Sequence, residues 1–112
     1  MKIVSLKNLP KEKPLHGSYS KQVMIQSGEI PNIYSFGQVT LQQGQIAANH
    51  WHDGMYEVFL VEQGKVRLVF DEVKEVIAEK GSCITTEPHE THEVSNPFPE
   101  TLVLTYFQSK VS

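Results

Sequence analysis

Cysteine occurs once in this chain of 112 residues, at Cys83, so no disulfide can form within it. A reducing, cytoplasmic location is the default expectation. The apolar run near the start, Ile3 to Leu6, is too short for a signal peptide, and no later run is long enough to span a membrane. Basic residues are also scarce: 10 Lys and Arg stand against 13 Asp and Glu, a net charge of −3. No stretch interleaves bases with aromatics, which leaves nucleic-acid binding without positive support. No repeat or low-complexity tract is present, and the length suits one domain with a useful core.

What the chain does contain is a series of short extended segments punctuated by turn signals. Lys21 to Gln26, Ile33 to Leu41 and Gln45 to His52 come first, then Met55 to Glu62 and Lys65 to Phe70. Val73 to Ala78, Ser82 to Thr86, Thr91 to Val94 and Thr101 to Gln108 complete the series. Many short strands at this spacing predict an all-β sandwich or barrel over residues 21–112. Residues 1–20 read as a lead-in, in which Ile3 to Leu6 is a candidate edge strand before Pro10 and Pro14 interrupt. Asp71 to Lys80 has helix-friendly Glu, Lys and Ala, but Val73, Val76 and Ile77 between turns suit a hairpin strand at least as well. Met55 to Val61 is apolar at almost every position, so both its faces need cover, from a second sheet layer or a partner subunit.

The residues that carry chemistry are His50, His52, Glu57 and His92. Residues two apart in a strand share a face, so His50 and His52 aim the same way. Asp53-Gly54 follows, a strong hairpin signal. A two-residue turn there sets Glu57 opposite His50, with Cβ atoms about 5 Å apart. His92 has to arrive on a separate strand after the Glu87-Pro88 break. A lone strand histidine is usually a surface residue or a satisfied core residue. Three with a carboxylate in matching register form the ligand set of a mononuclear metal site. A buried Glu57 needs a compensating partner in any case, a metal or a histidinium.

Gly44, His50-Trp51-His52, Glu57 and Gly64 resemble the first motif of the cupin family without a gap, and Gly81, Pro88, His92 and Asn96 resemble the second. The glycine of that second motif, three residues before the histidine, is His89 here. The resemblance covers roughly residues 21–107. It implies a double-stranded β-helix, or jelly-roll barrel, holding one divalent metal on His50, His52, Glu57 and His92.

Mixed nitrogen and oxygen ligands suit Fe, Mn, Co, Ni, Cu or Zn. If six-coordinate, such a metal keeps two positions open, which fits a dioxygenase-like or a sugar- or uronate-isomerase-like enzyme acting on a small oxygenated or carboxylated molecule. A non-catalytic small-molecule or metal-binding sensor, and a barrel with a vestigial site, are the competing readings. Candidate pocket residues are Phe59 with some of Tyr34, Phe36, Gln38, Arg67, Tyr106 and Gln108. Arg67 is either a carboxylate clamp or a surface arginine. His89 is either an exposed loop residue or an extra polar group near the site. Trp51 and Cys83 read as packing residues, and a homodimer suits both the resemblance and the apolar strand.

Overall fold

A computed structural model describes residues 1–14, 17–50 and 54–111, with the side chains of Asn49 and His50 outside the description. The described residues form strands and turns without a helix, so none holds a helix long and apolar enough to cross a membrane. Among the described residues, nine strands form two antiparallel sheets. They are β1 (Ser20–Ile25), β2 (Ile33–Leu41), β3 (Ile46–His50), β4 (Met55–Gln63), β5 (Lys65–Phe70), β6 (Lys74–Glu79), β7 (Cys83–Thr86), β8 (His92–Ser95) and β9 (Leu102–Lys110). One sheet runs β1-β2-β9-β4-β7 and the other β3-β8-β5-β6, the two layers of a jelly roll. The segment after Asp71 is a hairpin strand, as its bracketing turns require.

Side-chain alternation explains how the layers meet. Along β4, Glu57, Phe59 and Val61 are buried, while Tyr56 and Leu60 are exposed. The rungs across the five-stranded sheet then grade in polarity. Leu41 pairs with Leu102, and Val39 with Leu104, which pairs in turn with Val61. The next rung joins Gly37, Tyr106 and Phe59, and the last joins Ser35, Gln108, Glu57 and Thr86. In the facing sheet, Leu68 and Ala47 pair with Val94, while Phe70 and His50 pair with His92. The apolar rungs of both sheets therefore form one core, where each fully buried leucine or valine contributes roughly 1.5–3 kcal/mol. The polar rungs coincide at the other end of the barrel.

Two close approaches depend on glycine. Gly64 turns the chain from β4 into the opposite sheet at φ +82°, and a Cβ there would stand 2.6 Å from the Thr101 carbonyl oxygen. At Gly37 a Cβ would meet the Gln22 carbonyl oxygen at 2.2 Å and the Tyr106 ring at 3.1 Å. Its absence lets the tyrosine ring lie across β2.

Several sequence expectations are corrected here. The hairpin expected at Asp53-Gly54 would pair β3 with β4, but these strands lie in different sheets. A strand has only two hydrogen-bonding edges, and β4 gives both to β7 and β9. The turn residues Trp51, His52 and Asp53 themselves lie outside the described residues. Cys83 is exposed rather than buried, because the inward residue of edge strand β7 is Thr86, which fixes odd positions outward. Among the described residues Ile3 to Leu6 pairs with no strand. The lead-in meets the barrel through Glu12, bridged to Lys21, and Gly17, bridged to Ala47. Gln22 Nε2 donates to the carbonyls of Leu6 and Leu9, tying the lead-in to β1. The Gly17 bridge ties the segment leading into β1, at the edge of one sheet, to β3 at the edge of the other.

Candidate functional site

The polar end of the barrel is organised around the buried carboxylate of Glu57, a residue 6% exposed. Ionised, it would cost several kcal/mol if left without partners. Its Oε1 lies 2.8 Å from His92 Nε2, and its Oε2 accepts a hydrogen bond from Gln108 Nε2 at 2.7 Å. Gln108 is its neighbour on β9, whereas His92 reaches it from the opposite sheet.

His92 is delivered by a specific turn. Glu90 N–H donates to the Glu87 carbonyl, with Pro88 and His89 between them, and His89 has φ +70°. Proline followed by a positive φ is the pattern of a type II turn, whose third position normally holds glycine. The histidine at this position takes the left-handed conformation that the family pattern reserves for glycine. His89 itself is exposed and stands away from the cavity lining. The turn also presents the Glu90 carbonyl, which accepts a hydrogen bond from His92 Nδ1 at 3.1 Å. That bond orients the ring and leaves Nε2 to face Glu57. A neutral ring so fixed would set a lone pair against a carboxylate oxygen. The 2.8 Å contact therefore requires a proton or a metal ion.

His50 pairs through its backbone with His92 across β3 and β8, placing the two residues side by side. Its side chain, and the whole of His52, lie outside the description. Among the described residues no group of three or more His, Cys, Asp or Glu side chains is gathered for a metal, so the described part of the expected ligand set is the Glu57–His92 pair. The donor chemistry of that pair fits a divalent cation: an oriented imidazole Nε2 and a buried carboxylate oxygen lie 2.8 Å apart.

Beside this pair is a cavity of about 40 Å³. That is space for a few waters. Phe59, Val39 and Val94 give it apolar walls, Glu57 lies at one side, and Tyr19, Lys21 and Tyr106 supply the other polar groups. Tyr106 shares a hydrogen bond with Ser35 across 2.8 Å between the hydroxyl oxygens. Burial pushes its phenol up to about 12, opposed by the Ser35 bond and reinforced by the Glu57 charge. Burial, with Glu57 again adding to it, also raises Tyr19.

Of the pocket residues expected from sequence, Phe59 and Tyr106 line the cavity and Gln108 holds Glu57. Tyr34 faces outward, 42% exposed, with the Lys110 ammonium 5.5 Å from its ring centre. Phe36 and Gln38 share its parity, because Ser35, Gly37 and Val39 are the inward residues of β2. Arg67 lies on the outer face of its sheet, with Nε 3.1 Å from Glu75 Oε1 and NH1 3.7 Å from Glu93 Oε2. Tyr19 and Lys21 were not foreseen. The signal that could have found them is an aromatic residue and a lysine two apart at the entrance to the first predicted strand.

The profile of the family described as Cupin domain matches residues 37–107. The chain belongs to the cupin family. Among solved structures, this cupin superposes on one described as a predicted oxalate decarboxylase from Thermotoga maritima with a TM-score of 0.88 and 16% identity, covering 97% of this chain and 99% of the other. It superposes on the polyketide cyclase RemF from Streptomyces resistomycificus with a TM-score of 0.83 and 15% identity, covering 100% of this chain and 80% of that one. KdgF from Halomonas sp. gives a TM-score of 0.79 at 14% identity, covering 98% and 94%. At such identities the likeness is one of fold. No curated protein matches the sequence significantly.

Proposed function

We propose that this cupin is a metal-dependent enzyme that acts on a small oxygenated or carboxylated molecule, with one divalent transition metal on His50, His52, Glu57 and His92. The observation that carries the reading is the Glu57–His92 contact. A buried carboxylate oxygen and an imidazole nitrogen lie 2.8 Å apart, the ring being held by the Glu90 carbonyl. The register that sets His50 beside His92 supports it.

Bound there, Fe, Mn, Ni, Cu, Co or Zn would supply Lewis-acid or redox chemistry at a substrate oxygen. The protein's own groups do the rest. Gln108 fixes the second Glu57 oxygen, the walls around Phe59 limit water, and the hydroxyls of Tyr19 and Tyr106 stay protonated at neutral pH as hydrogen-bond donors. Dioxygenase-like and sugar- or uronate-isomerase-like chemistry both fit. A second reading, a non-catalytic small-molecule sensor, is favoured by one feature. Among the described residues lining the cavity, Glu57 is the only carboxylate, and it is already engaged. A homodimer burying Tyr56 and Leu60, exposed in the single chain, and a cytoplasmic location belong to the same proposal.

Metal content per chain, measured by elemental mass spectrometry on untagged protein and on the His50→Ala/His52→Ala double variant, tests it. Near-stoichiometric metal that disappears in the variant is expected. No metal in either, with no thermal shift on adding any of the six, would remove the reading. Saturation at about 1,000 times the dissociation constant should stabilise by roughly 4 kcal/mol.

A further inference from the structure

The sequence offered Arg67 as the cation for an acidic substrate, but its guanidinium is on the outer face among glutamates. Another cation lines the cavity. Lys21 pairs with Val39, an inward residue of β2, and so shares the inner face of the sheet. Its ammonium lies 5.1 Å from the centre of the Tyr106 ring. No ion pair joins it to a carboxylate among the described residues, although its backbone is bridged to Glu12.

We propose that Lys21, with Tyr19 lining the same cavity, is the subsite for the carboxylate of a short oxo- or hydroxy-acid whose second oxygen reaches the Glu57–His92 end, an assignment that rests on reading that end as the metal site. Glu57 is the carboxylate and Lys21 the cation among the described lining residues. Size sets the length: the Lys21 ammonium, beside the Tyr106 ring, and Glu57 line one cavity of about 40 Å³, which limits the ligand to a short acid. The walls at Val39, Phe59 and Val94 exclude part of the solvent, which strengthens the attraction between ammonium and carboxylate. With no anion bound, the ammonium has the face of Tyr106, a weaker partner than a carboxylate.

Calorimetric titration of the metal-loaded and metal-stripped protein with malonate, pyruvate and 2-oxoglutarate tests the assignment, with uncharged malonamide as the control. The wild type should bind at least one of the acids and not malonamide. Lys21→Met should weaken that binding about tenfold or more, and Lys21→Arg should retain most of it. Metal uptake and melting temperature should be unchanged in both variants, and Lys21→Gln provides a second neutral replacement. Equal affinity in wild type and Lys21→Met, or no binding of any acid at millimolar concentration, overturns the subsite. Normal metal uptake beside that result leaves the metal reading standing. Lys21-dependent acid binding in a protein that takes up no metal supports the subsite and removes the metal reading instead.

Discussion

Glu57 and His92 touch across two separate sheets: β4 lies between β7 and β9 in one, and β8 between β3 and β5 in the other. Their contact is thus a product of how the two layers face each other. It is also the point at which the inner polar rungs of both layers coincide. A shift of either sheet by one residue would turn its partner outward.

Breaking the pair from one side should be costly in metal-free protein. His92→Leu removes a polar partner from a buried carboxylate and should destabilise by about 3–5 kcal/mol, whereas the His92→Leu/Glu57→Leu double variant should recover a large part of that loss. Urea denaturation of the two variants and the wild type measures both steps. Additive losses would show that the residues act independently.

Asn96 is fully buried, and its side chain makes three hydrogen bonds. Nδ2 donates to the carbonyls of Leu41 and Glu100, and Oδ1 accepts from the Phe98 N–H. Asn96→Ala should cost about 3 kcal/mol or more, since it strands buried backbone groups. Its effect on metal affinity should be small, because the residue sits beyond the apolar rungs. Thermal melts paired with metal titration separate these two outcomes.

Gly64→Ala sets a side chain against a backbone carbonyl in a left-handed turn. The loss should be about 2 kcal/mol or more from conformation and contact together. Gly44→Ala, also at positive φ but with open space around the added carbon, should lose less. Equal losses would mean that backbone conformation alone decides.

Tyr106→Phe should change the alkaline limb of stability. Below pH 10 both folded and unfolded chains hold the phenol proton. Above it the unfolded chain loses that proton while the folded one keeps it up to about 12, so stability falls through that window. The variant should show a shallower decline between pH 10 and about 12, together with a loss of roughly 0.5–1.5 kcal/mol near neutrality from the broken Ser35 bond. Guanidinium melts at several pH values compare the two proteins directly. Parallel curves would place the raised phenol elsewhere.

Strand positions were readable because period-two burial and turn residues are local signals. β2 and β5 match their expected bounds, and β4 carries Glu57, Phe59 and Val61 inward as its alternation requires. Parity on β2 was not readable. Bulky Tyr34 and Phe36 point outward, while Ser35 and Gly37 face in because Gln108 and the Tyr106 ring occupy the space above them. The lead-in was opaque for another reason. Tyr19 and Lys21 follow a proline- and lysine-rich stretch with no period, and their inward placement depends on the backbone bridges Gly17–Ala47 and Glu12–Lys21.

By itself the sequence determined the all-β class, the approximate strand positions and the histidine and carboxylate candidates, because each is written in residues a few positions apart. Only the tertiary structure decided that Glu57 meets His92 across two layers, that Arg67 faces out and that Lys21 faces in. Those relations depend on which strand edges pair and which faces oppose, and such pairings are made between segments far apart in the chain.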